Sequence, residues 1–126
     1  MYRITKEFSF EASHRLAHLP EGHKCNRLHG HSYRVEVVLE SAELNADGFV
    51  RDYGELEPLK SFIDDRLDHR HLDDVMPEGM ISSAENISRF LYDFAAGRWP
   101  EVAAVRVSET PKTWAEYRPG GGGVSP

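Results

Sequence analysis

His29-Gly30-His31 is the densest piece of chemistry in the sequence. Along a strand, side chains return to the same face every second residue, so two imidazoles spaced this way lie about 6.5 Å apart at Cα. Such a pair can converge on one ion, and Gly30 between them adds no side chain to obstruct either ring. Zinc takes imidazole nitrogens in tetrahedral geometry, and a catalytic site needs three protein ligands and an open fourth position. His14, at the end of a neighbouring strand, is the natural third ligand, although His18, His23, His69 and His71 compete for that place. Cys25 is the only cysteine and stands four residues before His29. Cys-x-x-x-His-x-His resembles zinc-site spacing, so Cys25 is either a fourth ligand closing a structural site or a reactive thiol beside an open one.

The surroundings of Cys25 are basic. From Arg15 to Arg27 the chain holds Lys24, His18 and His23 against a single acid, Glu21, so this stretch suits an anionic small substrate. Asp68-His69 is a candidate acid/base pair in which a carboxylate orients an imidazole. Glu109 falls on the same strand face as Val105 and Val107, where a carboxylate is costly unless a basic partner or a ligand meets it. Its two oxygens match the paired N–H donors of a guanidine-like heterocycle edge.

The elements that must position these residues follow from periodicity. Tyr2, Ile4, Phe8 and Phe10 alternate in twos and predict a strand ending near Ser13-His14. Residues 15–28, with Pro20 and Gly22 and no periodicity, form a long loop, which in a compact domain is usually functional. A second strand starts at His29 and runs through Tyr33, Val35, Val37 and Leu39. Asp52 with Glu55 has capping-box spacing before Leu56, Leu59, Ile63 and Leu67, predicting a helix over about 53–67. Ser82 with Glu85 repeats that spacing before Ile87, Phe90, Leu91, Phe94 and Ala95, a second helix ending near Gly97. Asp52 and Glu85 therefore read as cap residues, and residues 68–82 as irregular. Strands over 102–110 and 113–117 complete the chain, and the Gly-rich tail 119–126 is expected to be disordered. The result is a single α+β domain over 1–118, ββααββ in order, with an antiparallel four-stranded sheet and both helices on one face.

Composition excludes several classes. The 126 residues carry a net charge of −6 with the cations interspersed among acids, which argues against a nucleic-acid partner. No apolar run is long enough for a membrane span, and the N-terminus has no signal-peptide pattern, so a cytoplasmic protein is expected. A lone cysteine allows no intrachain disulfide.

Taken together, the residues resemble the 6-pyruvoyl-tetrahydropterin synthase family. The resemblance is carried by Phe10-Glu11-Ala12-Ser13-His14-Arg15-Leu16, Cys25-x-x-x-His29-Gly30-His31, Gly48-Phe49-Val50-Arg51-Asp52-Tyr53, Leu67-Asp68-His69, Glu85-Asn86 and Glu109-Thr110. Glu21-Gly22-His23-Lys24-Cys25 and the short length are most similar to the bacterial 6-carboxytetrahydropterin synthase branch, which serves queuosine and other 7-deazapurines. The resemblance implies that His14, His29 and His31 bind Zn2+, that Cys25, Asp68 and His69 are catalytic, and that Glu109 anchors the pterin. The implied substrate is 7,8-dihydroneopterin triphosphate. The carboxy branch cleaves its side chain, releasing acetaldehyde and triphosphate; the pyruvoyl branch only eliminates triphosphate. Arg15, Lys24 and Arg27 are expected to hold the triphosphate.

The family resemblance further implies the tunnelling fold (T-fold), in which subunits join their sheets into a barrel. Active sites then form between subunits of a homo-oligomer, commonly a hexamer built as a dimer of trimers. Two positions depart from the family pattern. Ser82-Ser83 stands where Pro-Thr is usual before the second helix, and Asp73 stands where Asn is usual after the Asp-His pair. Ser83 keeps a hydroxyl able to contact the pterin. A zinc-stabilised binding module is the competing class, but Asp68-His69, Cys25 and Glu109 would then coincide by chance.

Overall fold

The computed structural model describes residues 1–120. Strands β1 (Tyr2–His14) and β2 (His29–Ser41) form a long antiparallel pair in which Phe10 faces Tyr33, Ala12 faces His31 and His14 faces His29. Helix α1 (Glu57–Arg66) follows, then a two-residue strand β3 (Arg70–His71), a one-turn helix α2 (Leu72–Val75) and helix α3 (Ala84–Arg98). Strands β4 (Val102–Thr110) and β5 (Thr113–Tyr117) are the last elements among the described residues, and the sheet order there is β3-β1-β2-β4-β5.

The four longer strands are those the alternation predicts. The expected four-stranded antiparallel sheet is corrected to a mixed five-stranded one, because β3 pairs parallel with Ala12 and Ser13 of β1. The stretch expected to be irregular over 68–82 therefore carries both a strand and a short helix. The helix expected from residue 53 starts at Glu57, after a 3-10 turn over Tyr53–Leu56 that Asp52 caps by accepting from the Gly54 N–H at 2.8 Å. The cap of α3 is Ser83, whose hydroxyl accepts from the Asn86 N–H, and not Ser82. Pro119 and Gly120 are exposed and outside any element; the rest of the expected disordered tail lies outside the described residues.

One sheet face carries the core. Phe8, Phe10, Tyr33, Val35, Val37, Leu39, Val105 and Val107 are buried against Leu59 and Ile63 of α1 and Ile87, Leu91 and Ala95 of α3. Each fully buried aliphatic or aromatic side chain contributes about 1.5–3 kcal/mol. Phe10 and Tyr33 stack with centroids 4.7 Å apart, fixing the β1–β2 register beside the histidines. The opposite face is charged: Arg34 pairs with Glu7 through two nitrogens, Arg106 pairs with Glu36, and both guanidinium groups lie over Trp114. Among the described residues no helix is long and apolar enough to cross a membrane.

Candidate active site

The strand ends bring three imidazoles together on the core face. Ligand atoms of His14, His29 and His31 all lie within 4.8 Å of one another, and the rings meet edge-on at centroid separations of 4.5, 5.1 and 4.8 Å. His14 Nδ1 lies 2.8 Å from the Ser82 carbonyl and His29 Nδ1 lies 2.6 Å from the Arg27 carbonyl. A carbonyl only accepts, so each Nδ1 carries a proton and each Nε2 is the nitrogen turned toward the other ring. The two Nε2 atoms lie 3.0 Å apart, close enough to share a proton or to meet on one metal ion. Nitrogens sharing a tetrahedral zinc sit about 3.3 Å apart. Burial, followed by the two neighbouring imidazoles, lowers the His31 pKa against the opposing pull of Glu109. The three histidines could hold a metal ion and are compatible with zinc.

Glu109 of β4 reaches the same point. Its Oε2 lies 3.7 Å from His31 Nε2 and 3.9 Å from His14 Nε2, is buried, and has no hydrogen-bond partner. A buried carboxylate oxygen without a donor is unfavourable unless a cation or a donor arrives. Behind the triad sits Tyr33, fully buried, its ring edge-on to His14 and His31 and its hydroxyl without a partner. A cavity of about 500 Å³ borders His31, Tyr33, Glu109 and Thr110. A second, of about 490 Å³, borders Glu11, Gly30, His31, Ser32 and His69. His31 lines both.

Asp68 and His69 are in contact, with His69 Nδ1 2.9 Å from Asp68 Oδ2. The other Asp68 oxygen accepts the Glu11 N–H at 2.9 Å, and the His69 N–H donates to the Glu11 carbonyl at 2.6 Å. This anchoring holds His69 at φ +58°, a left-handed backbone that costs a non-glycine residue about 1–2 kcal/mol. The Glu11 N–H, with His69, holds the Asp68 carboxyl below its ordinary range, and Asp68 raises the His69 pKa. Their bonds run to the edge of β1, and Cys25 is held elsewhere: its N–H donates to His23 Nδ1 and its carbonyl accepts from Leu16. Cys25 is half-buried and is not among the atoms converging at the triad.

The basic loop divides by role. Arg15 is committed to the loop itself, donating to the Asn26 carbonyl and to Asn26 Oδ1, while Lys24 and Arg27 are exposed. Ser83 caps α3. The sequence placed Tyr33 on the strand face of His29 and His31 and offered His71 only as a rival ligand; that His71, Asp73 and Ser82 surround the His14 segment is visible only in the folded chain.

The profile of the 6-pyruvoyl tetrahydropterin synthase family matches residues 3–120. The chain is 38% identical over 124 residues to a 6-carboxy-5,6,7,8-tetrahydropterin synthase of Synechocystis, covering 93% of each. It is 32% identical over 127 residues to a 6-pyruvoyl tetrahydrobiopterin synthase of Dictyostelium discoideum, covering 91% of the chain and 94% of that protein. Among solved structures, 6-pyruvoyl tetrahydropterin synthase of Caenorhabditis elegans superposes with a TM-score of 0.83 at 28% identity, covering 94% of the chain and 96% of the other.

Proposed function

The chain belongs to the 6-pyruvoyl tetrahydropterin synthase family, and on that premise we propose that it is a zinc-dependent 6-carboxy-5,6,7,8-tetrahydropterin synthase. Its substrate is 7,8-dihydroneopterin triphosphate and its products are 6-carboxytetrahydropterin, acetaldehyde and triphosphate. The observation that carries this reading is the convergence of three imidazoles with a carboxylate oxygen of Glu109 that has no hydrogen-bond partner among the described residues. A relative named for the carboxy reaction, at 38% identity, supports the choice of product.

His14, His29 and His31 hold the metal, which supplies Lewis acidity toward the side-chain hydroxyls of the substrate. Glu109 receives the paired N–H donors of the pterin edge in the cavity it shares with His31. Cys25 moves the proton at the side-chain carbon, and His69, oriented by Asp68, relays it. Lys24 and Arg27 offer exposed cations to the triphosphate, while Arg15 shapes the loop through Asn26. Family membership supports a homo-oligomer in which Cys25 and the Asp68-His69 pair come from different chains; within one chain Asp68 and His69 are bonded to Glu11, and Cys25 to His23 and Leu16. The reading serves a cytoplasmic enzyme of queuosine-type 7-deazapurine synthesis.

Incubating the zinc-loaded protein with dihydroneopterin triphosphate and identifying products tests the proposal. Acetaldehyde with 6-carboxytetrahydropterin is expected. A pyruvoyl product would replace the carboxy assignment with the reaction named for the Dictyostelium relative. No turnover by zinc-loaded protein would overturn the enzyme reading in favour of a binding module. Cys25→Ala is expected to keep zinc stoichiometry and lose turnover; loss of zinc would make Cys25 a ligand instead.

A further inference from the structure

His14 is almost fully buried, at 1% exposure, and on the side away from the other histidines Ser82 holds its ring: Nδ1–H donates to the Ser82 carbonyl at 2.8 Å, with the Ser82 hydroxyl 3.4 Å from the same nitrogen. That bond decides which nitrogen faces the other two histidines, so whatever holds Ser82 also controls the ligand. Ser82 is itself wholly buried, in the segment leading into α3, 68 residues from His14. Its hydroxyl donates to Asp73 Oδ1 at 2.7 Å.

Asp73 does more than receive that hydroxyl. Its Oδ2 accepts the backbone N–H of Arg15 at 2.8 Å and lies 3.1 Å from His71 Nε2. His71 Nδ1 in turn lies 3.0 Å from the Ser13 hydroxyl. Residues 13, 14 and 15 are therefore each tied to the same carboxylate: Ser13 through His71, His14 through Ser82, and Arg15 directly. The Arg15 N–H can only donate, and the carboxylate lets the Ser82 hydroxyl donate as well. An amide at 73 would keep one acceptor for Arg15 and turn its NH2 toward Ser82, reversing that bond and forcing the hydroxyl to accept. The two departures from the family pattern noted in the sequence, at 73 and 82, are thus one hydrogen-bonded pair.

We propose that Asp73, acting through Ser82, is a positioning residue for the metal, fixing the orientation and tautomer of His14. The inference rests on the metal-site reading of the triad. The partner of a ligating imidazole's second nitrogen, here the Ser82 carbonyl, holds the ring in place, and disturbing such an outer partner costs about 10–100-fold in metal affinity; Asp73 acts on it by holding the Ser82 hydroxyl. Asp74, the adjacent exposed acid on α2, serves as control.

Zinc dissociation constants, measured by competition with a chromophoric chelator, test this for wild type, Asp73→Asn, Ser82→Ala, the double variant and Asp74→Asn. Asp73→Asn and Ser82→Ala are each expected to weaken zinc binding about 10–100-fold. The double variant is expected to lie within about threefold of the weaker single, because both act along one chain of bonds. Asp74→Asn should match wild type. In the cobalt-substituted proteins the visible absorption should shift in Asp73→Asn and Ser82→Ala only, a signature that a general loss of stability does not produce. Wild-type affinity and spectrum in Ser82→Ala would overturn the inference even if Asp73→Asn failed to fold. A wild-type chain that binds no zinc would overturn the metal reading itself, whereas tight wild-type binding with unaffected variants would overturn this inference alone.

Discussion

Replacing Glu109 by glutamine removes one charge and little else, and the structure makes the two consequences opposite in sign. Among the described residues Oε2 is buried without a hydrogen-bond partner and lies 3.7 and 3.9 Å from the Nε2 atoms of His31 and His14. In the metal-free protein this oxygen is a liability, so Glu109→Gln should leave stability unchanged or raise it by about 1 kcal/mol. In the metal-bound protein it is an asset. A unit charge pair about 4 Å apart at an effective dielectric of 20 is worth about 4 kcal/mol, nominally about twice that for a dication. The side chain is 31% exposed, and solvent screening reduces this to about 1.5–3 kcal/mol, or a 10–100-fold rise in the zinc dissociation constant. Competition titration against a chelator measures the second effect, and urea unfolding in excess chelator the first. A dissociation constant within twofold of wild type, or metal-free destabilisation beyond about 1 kcal/mol, would refute the electrostatic account of the site.

Three further outcomes are expected. Tyr33→Phe removes a buried hydroxyl with no partner, so thermal melts should rise by a few degrees, about 1 kcal/mol; a comparable fall would show that the hydroxyl is satisfied. Gly30→Ala would place a Cβ 3.2 Å from the Ala12 carbonyl oxygen, between the strands that carry all three histidines. About 1–2 kcal/mol of stability should be lost in urea titrations, with weaker zinc binding, and an unchanged midpoint would count against the tight strand contact. His31 has a folded pKa below its ordinary 6.5, so its contribution to metal-free stability is present above pH 6.5 and lost as pH falls. Chelated protein should therefore unfold at lower urea near pH 5 than at pH 7.5, and His31→Asn should narrow that difference; an equal difference in both proteins would exclude His31 as its source.

Much of this architecture was legible because its signals are local. Period-two alternation located β1, β2, β4 and β5, and the same parity put His29, His31 and Glu109 on the core side of their strands. The amphipathic face of Ile87, Leu91 and Ala95 located α3. What failed depends on partners far along the chain. Arg70-His71 has no strand pattern and is a strand only because β1 lies beside it. Ser82 and Ser83 both have an acid or amide three residues on, so spacing could not say which caps α3; burial decides, sending Ser82 inward and Ser83 to the helix. The contact of Asp68 with His69 was suggested by adjacency, but the left-handed turn that permits it comes from Glu11, 58 residues away from His69.

The hydrogen bonds of Asp73 and Ser82 also impose an order on folding. His29 and His31 come together with His14 as soon as the β1–β2 hairpin closes, a short-range event. The bonds that fix the His14 ring span 58 and 68 residues and wait until α2 and the start of α3 have docked on β1. Between those events the hairpin presents three histidines with one ring unrestrained. In refolding followed by a zinc-sensitive dye, capture of the ion at full affinity should lag behind the appearance of strand structure, making metal uptake a late report that the chain has closed.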